Sequence, residues 1–294
     1  MSAAAEIAPS SDFAARLAHW RETGRAIAAN PAALTGAAIV LLLALMALAA
    51  PALSPADPDA QDLALRLAPP GAHHLLGTDE LGRDILSRIL YGSRVTLAVV
   101  ALIGLTVPVA GLVIGCLAGM AGGFLDAALM RAADVFLAFP RLILALALVA
   151  AMGPGLFHAL IAIGLAAWPP YARLARAETL AIRGRDFIAA ARLAGASPAR
   201  ILLRHIAPLC MPSLIVRASL DMAGVILTAA GLGFLGLGIA PPTAEWGAMI
   251  AAGRRFMLDQ WWVAAAPGVA IAVATLGFNL LGEGLRDVLD PRQR

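Results

Sequence analysis

The sequence contains no lysine: all 22 of its basic residues are arginine. A Walker A phosphate loop needs its lysine on the β- and γ-phosphates, so the chain is not itself a P-loop ATPase. Charge of either sign is scarce. Charged residues make up 14% of the 294 positions, against roughly 25% in soluble domains. The net charge of +3 is too small to imply a nucleic-acid surface. Cysteine is nearly absent. Cys116 lies in an apolar run and Cys210 just beyond a basic segment, which reads as two buried structural thiols rather than a bridge. No H-E-x-x-H or G-x-S-x-G is present, His73 and His74 lack a spaced third ligand, and His158 and His205 each stand alone. No catalytic residue, metal or cofactor is therefore expected on this chain. A cleavable signal is not expected either. A mixed-polarity segment with Arg16, Arg21 and Arg25 precedes the first hydrophobic run, which is long enough to remain as a helix.

Hydrocarbon is abundant: 61% of residues are hydrophobic, in runs that make the bilayer the expected solvent. A span needs about 20 apolar residues. Ala32 to Leu53 is the first, and Val95 to Met120 the second. Gly111, Gly115 and Gly119 recur every four residues in the second and allow close helix approach. The uncharged run Leu142 to Ala172 is too long for one span, and Gly153-Pro154-Gly155 interrupts it. It divides into a third span from Val135 to Met152, with Arg141 snorkelling outward, and a fourth from Leu156 to Tyr171, kinked by Pro169 and Pro170. Met211 to Leu235 and Val263 to Leu281 complete six. Glycines 231, 233, 236 and 238 let the fifth end and turn. Fourteen arginines then fall on the side of both termini and six on the other, so the termini are expected in the cytoplasm. Trp246, Trp261 and Trp262 fall in the last external loop, where interfacial aromatics are expected.

One segment departs from this pattern: "DFIAAARLAGASPARILLRHIAPL", Asp186 to Leu209. A short helix is expected to stop at Gly195. A second starts with Ser197 as N-cap and Pro198 at its first position, and closes at Pro208. Ala189, Ala190 and Ala191 make one face smooth, and Phe187 and Leu193 offer apolar anchors. From the residues alone, the segment is either a docking face for another protein or an amphipathic connector on anionic headgroups.

The segment resembles the EAA loop of ABC-importer permeases, whose pattern is E-A-A, three residues, Gly, a spacer and I-x-P. Ala190, Ala191, Gly195, Ile206 and Pro208 match. Ala189 stands where the glutamate usually does, so a glutamate-mediated contact does not carry over. "LGTDELGRDILSRILYGSRVTLAV" (76–99) and "GLGFLGLGIAPPTAEWGAMI" (231–250) resemble the dipeptide/oligopeptide/nickel branch, C-type subunit. The resemblance covers nearly the whole chain. It implies an all-α, polytopic type I (MetI-like) permease fold with six transmembrane helices in the bacterial inner membrane. The implied organisation is a cytoplasmic segment 1–31, a first span 32–53, and a periplasmic linker with an interfacial helix 54–94. A permease core 95–284 containing the coupling loop 186–208 follows, then a cytoplasmic tail 285–294. It also implies that Asp186, Phe187, Ala189, Ala190, Ala191, Leu193, Gly195, Ala196, Ser197, Ile206 and Pro208 form the surface for an ATP-binding subunit, which binds ATP and magnesium. A homologous second permease subunit, a periplasmic or extracellular substrate-binding protein and membrane lipid are the remaining implied partners, with no nucleic acid. The implied function is ATP-driven import by alternating access, of peptides or alternatively of nickel, glutathione or another small solute. A passive channel and an intramembrane enzyme are the readings from other classes.

Several polar residues need a role. Thr78 is expected to cap an outer helix bearing Asp79 and Glu80 in its first turn and Leu81, Ile85, Ile89 and Leu90 on one face. Such a helix is either an elbow into the second span or an element shaping the entrance. Arg217 and Asp221, four apart in the fifth span, either pair with each other or meet substrate. Thr275 and Asn279, four apart in the sixth, either line the pathway or stitch helices. Asp126 and Asp134 are expected to be solvated or paired with Arg131.

Overall fold

The computed structural model describes Gly24 and residues 29–289. Most of the segment 1–31, with Arg16, Arg21 and Arg25, and the last five residues of the tail lie outside the described residues. The described chain is all-helical, with ten α-helices: α1 (Pro31–Leu53), α2 (Ile85–Ala121), α3 (Gly123–Leu137), α4 (Arg141–Met152), α5 (Leu156–Ile182), α6 (Asp186–Leu193), α7 (Pro198–Ile201), α8 (Ala207–Phe234), α9 (Trp246–Gly253) and α10 (Trp262–Leu289). Four helical stretches are long and apolar enough to cross a membrane, or five if the bent pair α3–α4 counts as one span.

The ends of these helices follow from local chemistry. The Asn30 side chain accepts from the Ala32 and Ala33 amides at 3.0 and 3.1 Å, with Pro31 at the first position of α1. The glycine ladder of α2 does what its spacing suggests. A Cβ on Gly115 would lie 2.2 Å from the Ala172 carbonyl oxygen, one on Gly111 2.3 Å from the Tyr171 Cβ, and one on Gly119 2.7 Å from the Thr179 Cβ. Only glycine lets α2 and α5 approach this closely. Gly36, Gly277 and Gly284 join α1 to α10 in the same manner. Helices α3 and α5 are clamped by Asp126 with Arg176, at 2.7 Å for the Nη2 bond, and by Asp134 with Arg173. The partners of both aspartates thus come from α5, not from Arg131.

Four expectations need correction. The third span is not one helix from Val135 to Met152: α3 and α4 meet at 93° across residues 138–140. Pro140 removes an amide donor and biases Phe139 away from helical geometry, so the chain turns there. No separate interfacial helix precedes the second span. Thr78 instead forms a backbone bridge with Asp84 and donates its hydroxyl to the Leu65 carbonyl. Asp84 takes the cap, accepting from the Ser87 amide at 2.7 Å, and Ile85, Ile89 and Leu90 are buried in the core. Pro208 does not close the helix started at Pro198. Residues Leu202–Ile206 form a π turn in which the Ala207 amide reaches the Leu202 carbonyl. The widened turn takes in a proline that an α-helix would resist, so the rod continues into α8. Trp246 is no interfacial anchor. It is buried, donates to the Ile89 carbonyl at 3.1 Å and packs under Gly92, whereas Trp261 is the exposed member of the three.

Candidate functional site

The two ends of the helix bundle differ, and each holds one part of the expected machinery. At the end that carries residues 186–208, α6 stops as its sequence requires. Gly195 adopts φ +80°. The Ala196 amide bonds the Ala191 carbonyl at 3.0 Å, and the Gly195 amide bonds that of Arg192 at 2.9 Å. These two bonds define a Schellman stop, which needs the left-handed residue that glycine supplies. The Ser197 hydroxyl then accepts from the Arg200 amide at 3.3 Å and opens α7. Asp186 lies in the first turn of α6 and Arg192 in the last, each favourable to the helix dipole.

Three isoleucines fix this element to the bundle: Ile188, Ile201 and Ile206 are all buried in the main core. Ile206 is thus an anchor rather than a contact residue. What remains faces outward. Leu193 is 90% exposed and Phe187 46% exposed. Asp186, Ala189, Ala190, Gly195, Ser197 and Pro208 are exposed, while Ala191 and Ala196 turn partly inward against the core. A leucine held rigidly in the open by a capped helix is a knob awaiting a socket. Arg185, Arg192, Arg200 and Arg204 are exposed around it.

Midway along the bundle the four polar residues expected in the pathway separate. Asp221 does not pair with Arg217. Its Oδ1 accepts from Arg141 Nη1 at 2.7 Å and its Oδ2 from the Tyr171 hydroxyl at 3.2 Å. Three helices, α4, α5 and α8, therefore meet at one carboxylate, and Arg141 points into the bundle instead of snorkelling. Arg217, one turn from Asp221 on α8, is exposed and has no ion pair among the described residues. On α10, Asn279 is exposed, whereas the Thr275 hydroxyl is buried without a hydrogen-bond partner. Arg141 was visible in the sequence as the charge bordering a long uncharged run. Its partner, 80 positions away, was not.

At the opposite end, residues 54–84 and α9 form a cap. Asp79 accepts from the Leu81 and Arg83 amides and from Arg83 Nε at 2.7 Å, while Arg88 donates to the Pro58 carbonyl at 2.8 Å and to Asp59 at 3.1 Å. Asp84 receives the Ser87 hydroxyl at 2.7 Å and meets His74 at 3.0 Å. Glu245 caps α9 by accepting from the Gly247 and Ala248 amides at 2.8 and 2.7 Å. Burial pushes its carboxyl above the usual range, although those two amide bonds pull the other way.

Several long apolar helices, a hydrogen-bonded cap and an exposed apolar knob define a multi-pass membrane protein. The sequence matches, over residues 111–294, the family of binding-protein-dependent transport system inner membrane components. Residues 19–70 match the N-terminal TM domain of oligopeptide transport permease C. The chain belongs to the binding-protein-dependent permease family. Members are the membrane permease components of ABC importers, not enzymes. A probable D,D-dipeptide transport system permease protein of Escherichia coli is 48% identical over 90% of this chain and 88% of its own length. A di/tripeptide transport system permease protein of Pseudomonas aeruginosa is 45% identical over 92% of each chain. A nickel transport system permease protein of Escherichia coli is 46% identical over 86% of this chain and 91% of its own.

Proposed function

We propose that this permease carries peptides through an ATP-driven importer, and that α6 is where a separate ATP-binding subunit grips it. The observation that carries the coupling role is Leu193, 90% exposed on a helix whose stop and anchors fix its direction. ATP and magnesium belong to the partner. A homologous second permease subunit completes the pathway, and an external substrate-binding protein delivers cargo. The chain crosses the membrane six times with its termini in the cytoplasm. Support for the sixth span is α5, whose 27 residues reach about 40 Å. Support for the orientation is the arginine asymmetry, with seven arginines in 172–208 alone. The permease core is 95–284, with the coupling loop 186–208, and Arg217, Asp221, Thr275 and Asn279 line the pathway. The peptide assignment draws on the relatives named for dipeptides and tripeptides. The relative named for nickel supports a second reading, with the same machinery and a different cargo.

The test is co-expression with the ATP-binding subunit and purification of the complex. Leu193→Asp or Ala190→Trp should abolish co-purification and ATP-dependent uptake while leaving the melting temperature of the detergent-solubilised chain unchanged. Retention of the ATP-binding subunit by both variants would remove α6 as the coupling site.

A further inference from the structure

The node at Asp221 is unfinished. Arg141 uses Nη1 for Asp221, but its Nε and Nη2 are both buried and have no hydrogen-bond partner. These two nitrogens share one edge of the guanidinium, the edge whose parallel N–H bonds take both oxygens of a carboxylate. Buried donors left unmade are costly, and a guanidinium at this depth is costlier still.

The depth follows from helix lengths. α4 has 12 residues and begins at Arg141, so its first residue lies about 18 Å from the Gly153 turn. Asp221 lies 13 residues before the end of α8 at Phe234, or about 20 Å. The Gly155 amide bonds the Gly238 carbonyl at 3.0 Å, which ties these two ends to the same level. Arg141 and Asp221 thus sit at one height, well inside a hydrocarbon layer about 30 Å thick. Charge at the node is unbalanced. Asp221 is the one carboxylate bonded to Arg141, and Arg217, one turn away along α8, is exposed on a membrane-spanning helix without an ion pair among the described residues. Lipid is a poor neighbour for it, whereas a polar pathway is a good one.

We propose that the Nε/Nη2 edge of Arg141, with Arg217 beside it, receives the carboxylate of the transported solute midway across the membrane. Asp221 and Tyr171 hold the guanidinium while that edge stays available, so they are positioning residues. In this conformation the edge is covered, and the carboxylate reaches it when α4 and α8 part during the cycle. The inference rests on the peptide reading above and narrows it: the node's excess positive charge favours a solute bearing a free carboxylate and disfavours a bare divalent cation.

The experiment uses the complete importer in proteoliposomes and two probes, alanyl-alanine and its C-terminal amide, each at a concentration saturating the binding protein. Because Arg141→Gln leaves Asp221 without its partner, Arg141→Gln/Asp221→Asn is the paired variant that keeps the site neutral. In both, the ratio of free-acid to amide uptake should fall at least tenfold from that of the unmodified importer. Arg141→Lys keeps the charge but not the fork and should fall between. A ratio unchanged in the variants overturns the carboxylate site and leaves the importer reading intact. Failure of the unmodified importer to take up alanyl-alanine overturns the peptide reading and this inference together.

Discussion

The cap and the coupling element are both polar pieces attached to an apolar bundle, yet they are built on opposite plans. In the cap, charged side chains are buried and paired: Asp79, Arg83, Asp84 and Arg88 are each less than a tenth exposed and bonded to one another or to backbone, although Arg88 Nε and Glu80 Oε2 have no hydrogen-bond partner. In the coupling element the charges are exposed, and an apolar side chain, Leu193, is turned out. Removing a partner from a buried charged network leaves a charge stranded, whereas trimming an exposed leucine strands nothing. The first plan holds shape. The second leaves an apolar side chain open at the surface.

That contrast breaks most sharply at Arg88. Its replacement by alanine leaves the Asp79 carboxylate short of charge and the Pro58 and Pro242 carbonyls without a donor. The expected loss is about 3–5 kcal/mol, read as a large drop in melting temperature in detergent. Next is the α2–α5 seam within the bundle. Gly115→Ala drives a Cβ onto the Ala172 carbonyl and should cost about 1–3 kcal/mol by the same measurement. Leu193→Ala should stay within about 0.5 kcal/mol, so a destabilisation as large as that of Arg88→Ala would erase the distinction drawn here.

The smallest expected effect is at Glu245. Burial raises its carboxyl above the usual range. The folded cap therefore holds that proton more tightly than the unfolded chain. This contribution is fully present below the ordinary carboxyl range and is lost as pH rises through the raised value. Glu245→Gln should flatten that part of the melting profile by about 1–2 °C. A profile identical to that of the unmodified chain would place the group outside the titrating set.

Legibility in the sequence divided along the same line. The coupling element was readable because its rules are local: Gly195 for a left-handed stop and Ser197 with Pro198 for a start lie within three residues of what they control. The glycine ladder was readable because its spacing is its mechanism. The cap was misread at Thr78, since two candidate caps, Thr78 and Asp84, lie six residues apart. What selects between them is a backbone bridge and the left-handed Gly77 and Gly82. A Cβ at Gly82 would come within 1.8 Å of the Asp62 carbonyl oxygen, a neighbour distant in sequence. The node was misread for a similar reason. Four-residue spacing favoured Arg217 for Asp221, but Arg141 arrives from another helix after the break at Pro140 and takes the carboxylate. Pro208 looked like a terminator, and only the π turn before it shows how the helix absorbs it.

That absorbed proline has a mechanical result. From Pro198 to Phe234 the chain is one stretch of 37 residues, about 55 Å of continuous rod. A tilt of about 5° at the end beside Leu193 swings the far end by roughly 5 Å, close to one helical pitch. On the proposed coupling role, a short stroke delivered beside Leu193 would arrive magnified at the far end, with Asp221 partway along the beam.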